Sequence, residues 1–163
     1  MRARRGRHWL MPAVTLVAAL ILAVIPLPGA ISAFRPDWVA VVLLYWTLIH
    51  PRRYGLIKAF TFGILLDALT GSLLGQHALA LLVIVYLSQR LYLRIRAFPA
   101  SQVATIVIFL LALYELVLLL IDGFAGREVA MIERWGPVVT GGLLWLLVSV
   151  GIERGRQAAE ARI

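Results

Sequence analysis

The chain has 163 residues, of which 62% are apolar, and it carries a formal net charge of +8. Soluble domains are about 45–50% apolar, so this composition indicates an integral membrane protein. The chain contains no cysteine, which excludes disulfides, thiolate metal sites and cysteine nucleophiles. The basic residues collect between apolar runs, a placement that argues against a nucleic-acid partner.

Six apolar runs follow one another along the chain, and each is taken as a transmembrane helix. They cover residues 9–25, 38–49, 56–69, 78–91, 103–121 and 137–152. The fold class predicted is therefore all-α, a single six-helix membrane domain over residues 1–163. The first run, with arginines before it and Pro28-Gly29-Ala30 after it, also fits a secretory signal peptide, but it is longer than a usual apolar signal core.

The basic residues alternate between the gaps. Thirteen of the 16 precede the first run or follow the second, fourth and sixth runs. The positive-inside rule then places both termini in the cytoplasm, which agrees with an even number of spans.

The second, third and fourth runs are short. Only 14 residues separate Pro36 from Pro51, about 21 Å of helix, whereas the hydrocarbon core is about 30 Å thick. The segment 59–89 must cross and return with about 22 Å for each limb. We therefore expect the turn from Asp67 to His77 to lie below the outer membrane surface, in an outward-facing recess walled by the first and fifth spans.

This apolar stretch contains four polar side chains, those of Asp67, Ser72, Gln76 and His77. Asp67 could carry a proton or cation with Gln76 or His77 as neighbours, because ionisable groups at membrane depth are commonly functional. Alternatively its carboxylate caps the turn and accepts backbone N–H bonds near Gly71 and Ser72. We favour capping, since Asp67 stands at the end of its run.

Small residues recur at every fourth position around Asp67, namely Ala59, Gly63, Gly71 and Gly75. Such spacing suits close helix packing, either against a partner helix or within the protein with a glycine turn at residues 71–75. Glu115 lies inside the fifth apolar run, so we expect it to face inward and to bond to a neighbouring span.

No enzyme motif is present: the sequence lacks a zinc-binding His-Glu-x-x-His, a Gly-x-Ser-x-Gly elbow and a phosphate loop. Ser72 beside His77 is a poor hydrolase candidate, and the three histidines make no metal spacing. We predict a non-enzymatic protein without cofactor or metal. Arg90, Arg94 and Arg96 alternate with apolar residues after the fourth run and predict contact with anionic lipid or, less simply, with a cytosolic protein.

A family likeness rests on two segments: Arg35-Pro36-Asp37-Trp38 with Tyr45-Trp46 and His50-Pro51, and the run 63–79 that contains Asp67, Gly71, Gly75 and His77. These residues resemble the bacterial rod shape-determining protein MreD family. The resemblance implies a non-catalytic component of the cell-elongation machinery in the bacterial cytoplasmic (inner) membrane, acting in rod cell-shape maintenance and peptidoglycan synthesis. It also implies MreC, MreB, RodA and the transpeptidase of RodA as partners, and a span count similar to that of the substrate-binding subunits of vitamin transporters.

The function predicted is that of a membrane scaffold that holds the transmembrane helix and outer domain of MreC. Helix packing near Gly63, Gly71 and Gly75 would form the contact, with Asp67, Gln76 and His77 fixing its register. The alternative is a small-molecule binding or transport subunit that uses the same outward-facing recess.

Overall fold

The structure is a computed structural model, and it describes residues 3–95, 98–128 and 130–160. Within these residues it is all-helical and without strands, as predicted. The helices are α1 (Ala3–Val24), α2 (Trp38–Ile49), α3 (Leu56–Thr70), α4 (Gln76–Ile95), α5 (Ala100–Phe124) and α6 (Met131–Glu160). A 3-10 helix, Gly29–Phe34, follows α1 and was not predicted.

Two stretches of the described residues are long and apolar enough to cross a membrane, Gln76–Ile95 and Ser101–Phe124. Met11–Val24 is a shorter apolar helix, and α2 has only 12 residues, about 18 Å. The six helices are therefore confirmed as helices, while six membrane spans with cytoplasmic termini stay a prediction.

Helix α2 occupies the middle of the molecule and packs against α1, α4, α5 and α6. Its sequence is apolar on every side, which suits a helix enclosed by others. Val39, Ala40, Leu43 and Leu44 are buried in one hydrophobic core that also receives side chains from the other helices. The short α2 is thus a core element of the bundle.

Helices α3 and α4 approach each other closely at Gly63. A Cβ atom built on Gly63 would stand 2.2 Å from the Cα of Ala78, so no larger residue fits without moving α3 away from α4. Gly63 is therefore used for packing within the protein, where a small residue lets two backbones meet.

The helices run up and down, so the connections gather at two ends. The α1–α2 connection, the α3–α4 turn and the α5–α6 connection meet at one end, as side-chain contacts between them show. We call it the polar-cluster end. The α2–α3 turn and the last turns of α4 meet at the other, where Gln89 Nε2 donates to the carbonyl of Pro51 at 2.7 Å. We call this the basic end, because Arg52, Arg53, Lys58, Arg90 and Arg94 lie there.

Candidate functional site: a buried polar cluster

Asp67 organises the turn between α3 and α4. Helix α3 ends at Thr70, and the capping residue Gly71 has a φ of +68°, in the left-handed region that favours glycine. The chain then returns over Asp67, whose carboxylate accepts from the Ser72 hydroxyl at 2.8 Å and from the N–H groups of Gly75 at 2.8 Å and His77 at 2.9 Å. His77 Nδ1 lies 2.7 Å from the same carboxylate. Asp67 is only 1% exposed, so one buried side chain holds the whole turn in place.

The same contacts define what His77 and Ser72 can do chemically. An ionised carboxylate only accepts hydrogen bonds, so His77 Nδ1 carries the hydrogen that it shares with Asp67. Ser72 Oγ also lies at this nitrogen, 3.1 Å away, and donates its own proton to Asp67. A catalytic serine needs the second ring nitrogen as its base, with the carboxylate on the first. The arrangement orders the turn and does not activate Ser72.

Arg134 of α6 forms the second part of the cluster. Its guanidinium donates to Glu115 Oε2 at 3.2 Å and to the Asp122 carboxylate, and all three residues are buried. Gln76, the first residue of α4, donates through Nε2 to Asp122 Oδ1 at 2.9 Å. One guanidinium and one carboxylate thereby join the ends of α4, α5 and α6. A buried ion pair of this kind is costly to break, because a remaining partner is left charged in a poor solvent.

Two carboxyl groups meet where the α1–α2 connection reaches α5. Asp37 lies near Glu115 and interacts with it electrostatically. Burial raises the pKa of Asp37, which precedes α2, against the lowering effects of Glu115, His77, Arg134 and Arg35. The connection before α2 thus interacts with the same polar cluster as α4 and α6.

Tyr114 lies in the centre of this arrangement. It is fully buried, its ring is 6.3 Å from that of His77, and it interacts electrostatically with Asp37, Glu115, Asp67 and Arg134. The Tyr114 hydroxyl, Gln76 Oε1 and Arg134 Nε have no hydrogen-bond partner among the described residues. The cluster therefore contains more donors and acceptors than these residues satisfy.

A small cavity of about 90 Å³ opens beside His77. It lies between the end of α1 and the α3–α4 turn, and Arg35, Pro36, Asp37 and Trp38 form one wall. The Arg35 guanidinium donates to the carbonyl of Leu22 and so ties this wall to α1. The two sequence segments that carry the family likeness thus face each other across one cavity.

Comparison with known proteins settles the family. A model described as rod shape-determining protein MreD matches residues 3–150. The chain belongs to the MreD family. A curated relative, the rod shape-determining protein MreD of Haemophilus influenzae, is 29% identical over 122 residues, 75% of each chain. No solved structure matches the chain.

Membership of the MreD family supports a role in determining rod cell shape. It also confirms the resemblance that the segments around Arg35 and Asp67 carried. The family name refers to cell shape and not to a catalysed reaction.

The structure brings together most of the site residues predicted in this MreD-family chain. Asp67, Ser72, Gly75 and His77 form one hydrogen-bonded turn, although Asp67 binds the hydroxyl of Ser72 and not its N–H. Gln76 and Glu115 face inward and join the ion network. Gly71 ends α3 in open space and Gly63 packs on Ala78, so they do not share a helix face open to a partner. Of the predicted lipid-binding arginines, Arg90 and Arg94 are exposed and Arg96 lies outside the described residues.

The cavity beside His77 has only the first of the two walls that we expected for the recess around Asp67. We predicted walls from the first and fifth spans, whereas the cavity beside His77 is lined by Ala23 of α1, the 35–38 segment and residues of α2 and α3. Helix α5 instead contributes the carboxylates and Tyr114 beneath it. The reason is that the α1–α2 connection folds over the turn.

Sequence reasoning missed Asp37, Asp122 and Arg134 as members of the site. A signal for two of them was present: Glu115 and Asp122 are seven residues apart, two helical turns, and so share one face of α5. Two carboxylates on one face of an apolar helix require a cation from a neighbour. The short α5–α6 connection makes α6 that neighbour, and Arg134 is in its first turn.

Proposed function

We propose that this MreD-family protein is a non-catalytic membrane scaffold of the bacterial cell-elongation machinery. It would cross the cytoplasmic membrane six times with both termini inside and regulate peptidoglycan synthesis by binding MreC. MreB, RodA and the transpeptidase of RodA would be engaged directly or through MreC. The family match over residues 3–150 is the observation that carries this proposal.

The buried polar cluster supports a binding role. Hydrogen bonds, ion pairs and electrostatic interactions fix the polar-cluster end, joining the α3–α4 turn to α4, α5, α6 and the α1–α2 connection. A surface held in one conformation binds a partner without losing entropy to order itself. Rigid presentation of a short turn is what a scaffold needs.

The α3–α4 turn itself is the partner surface that we propose. Gly71, Leu73 and Leu74 are exposed, and Leu74 is 76% exposed although Asp67 holds the chain on both sides of it. MreC would contact this turn with the segment where its transmembrane helix meets its outer domain. This surface replaces the predicted helix face through Gly63, which α4 covers.

The geometry of His77 argues against Ser72 as a catalytic nucleophile. One ring nitrogen, Nδ1, faces both Ser72 and Asp67, so the histidine does not stand between nucleophile and carboxylate.

A transport or small-molecule role, the alternative, gains less support. The cavity beside His77 has about 90 Å³, whereas ligand pockets typically hold about 300–1,000 Å³. The similarity to the substrate-binding subunits of vitamin transporters rests on the predicted number of spans and stays a prediction.

Co-purification of MreC with Leu74→Ser tests the proposed surface. We expect the variant to retain about tenfold less MreC, since an exposed apolar contact at the centre of an interface contributes about 1–2 kcal/mol. Phe124→Ser is the matched control, because Phe124 is 93% exposed at the same end but lies outside the turn. Equal MreC retention by wild type and Leu74→Ser would exclude this surface.

A further inference from the structure

A groove of about 230 Å³ follows one face of α2, between α1 and α6. Its floor is a stripe of α2 side chains at helical spacing, namely Trp38, Val41, Val42, Tyr45 and Trp46. Thr15 of α1 forms one wall, and Leu144 and Trp145 of α6 form the other. None of these residues is charged, and most are aliphatic or aromatic, so the groove presents an apolar surface.

The polar groups at the groove are engaged with one another or buried. Trp46 Nε1 donates to Thr15 Oγ1 at 2.9 Å, and the Thr15 hydroxyl donates in turn to the carbonyl of Pro12 at 3.0 Å. Trp145 Nε1 is buried, so that ring presents its apolar part to the groove. A polar ligand would have to be desolvated without gaining the hydrogens of these three side chains. The ligand class is therefore a hydrocarbon.

Contacts between aromatic rings hold the floor and one wall of the groove in place. The Tyr45 ring lies edge-on to those of Trp46 and Trp145, with 5.2 and 6.2 Å between ring centroids. Trp46 also stacks on His50 at 6.1 Å and contacts the ring of Tyr54 at 5.8 Å. A groove that is already ordered binds a chain without losing entropy to order its own side chains.

The dimensions of the groove select a single hydrocarbon chain. The stripe from Trp38 to Trp46 covers about 12 Å of helix, so the volume of 230 Å³ corresponds to a mean cross-section of about 20 Å². Carbon atoms in contact stand about 3.5–4.0 Å apart, and one methylene chain therefore has a similar cross-section. A helix with its side chains is about 10–12 Å wide and needs several times that area.

The surroundings favour a membrane lipid as the source of the chain. Most of the α2 stripe packs against the core and is still partly exposed, and the flanking helices present exposed apolar side chains such as Val17 and Leu147. Lipid tails are as apolar as leucine, so a bound chain gains by close packing against fixed rings. We propose that the groove on α2, between α1 and α6, binds one acyl chain of a membrane lipid. This inference rests on the membrane placement in the proposed function.

Photo-crosslinking in liposomes tests this site. The full-length protein, without a partner, is reconstituted into phosphatidylglycerol and phosphatidylethanolamine with a small fraction of phosphatidylcholine that carries a diazirine in the middle of one acyl chain. Mass spectrometry measures labelling at Tyr45 and Trp46 relative to labelling at Leu147, which is 73% exposed on α6. We expect the wild type to be labelled at both groove positions.

Val42→Phe fills the groove from its floor, because a phenyl ring replaces an isopropyl group that lines it. It should lower the relative labelling of Tyr45 and Trp46 roughly threefold or more, since the added ring and an acyl chain compete for the same space. Leu144→Phe fills the groove from α6 and should have the same effect. Val17→Phe is the matched control, because Val17 is 51% exposed on α1 and does not line the groove.

Unchanged labelling in both filled variants would overturn the site. An equal decrease in Val17→Phe would also overturn it, because a ring outside the groove would then act as well as one inside it. Loss of MreC from Val42→Phe with unchanged labelling would make the groove a contact for a partner helix and overturn the lipid assignment. Leu144→Phe gives an independent answer if Val42→Phe unfolds at a lower temperature than the wild type.

The same measurement separates this inference from the proposed function. Labelling at Leu147 without labelling at Tyr45 and Trp46 would contradict only the groove. Absence of label at all three positions would contradict the membrane placement and, with it, the inference. Leu74→Ser should keep the groove labelling while it loses MreC, because Leu74 lies at the polar-cluster end and does not line the groove.

Discussion

The two ends of the molecule use the same residue types in opposite ways. At the polar-cluster end Arg134 is 7% exposed and bonds two carboxylates, and Gln76 is buried against one of them. At the basic end Arg52 and Arg94 are exposed. A charged residue near the end of an apolar helix therefore has one of two roles in this protein. It is buried and joins helices, or it is exposed at the surface.

This difference implies different consequences for mutation. A buried charge is balanced by specific partners, so its loss is felt by the folded state. An exposed arginine is solvated, and its removal changes stability by at most about 0.5 kcal/mol while affecting binding of anions. We expect stability to depend on the polar-cluster end and the binding of anionic lipid headgroups to depend on the basic end.

Arg134→Gln should cause the largest loss of stability among the variants that test this comparison. It leaves Glu115 and Asp122 buried without their cation, and loss of one partner from a buried ion pair costs about 3–5 kcal/mol. The measurement is thermal unfolding in detergent, followed by fluorescence. Arg127→Gln, an exposed residue of the same connection, should unfold as wild type does.

Equal unfolding midpoints for Arg134→Gln and wild type would show that the ion network does not contribute to stability. A second variant, Arg134→Met with Glu115→Gln and Asp122→Asn, removes all three charges together. It should recover part of the lost stability, because no uncompensated charge remains.

The amino-acid sequence was sufficient to predict the helices, but not the pairing of polar side chains between them. Apolar runs such as 103–121 predict a helix because an apolar segment of that length satisfies its backbone groups internally. The 3-10 helix Gly29–Phe34 is short and lacks such a pattern. Asp67 could be predicted to hold its own turn, since its partners lie within 10 residues. Gln76 could not be paired with Asp122, 46 residues away, because no local pattern states which helices are neighbours.

Asp67→Asn should produce the next largest effect. An amide accepts more weakly than a carboxylate and its NH₂ group faces donors, so several of the four hydrogen bonds at the turn weaken. Bonds to a charged acceptor contribute about 1.5–3 kcal/mol, and we expect a loss of about 2–3 kcal/mol. Hydrogen exchange at the N–H groups of Gly75 and His77 should accelerate with it. Slow exchange at both amides in Asp67→Asn would contradict the role assigned to this carboxylate.

The sharpest comparison comes from two glutamines of the same helix. Gln76 begins α4 and donates to the buried, charged Asp122, while Gln89 near its other end donates to the neutral carbonyl of Pro51. Gln76→Leu should cost about 1.5–3 kcal/mol and Gln89→Leu about 0.5–1.5 kcal/mol, since hydrogen bonds to charged groups are the stronger class. Both variants replace the same amide of α4 by the same apolar side chain, so the change in side-chain volume is the same in the two proteins. Parallel denaturation of the two proteins should therefore show a difference of about 1 kcal/mol with Gln76→Leu the less stable. The reverse order would mean that the α2–α3 turn, and not the polar cluster, holds α4 in place.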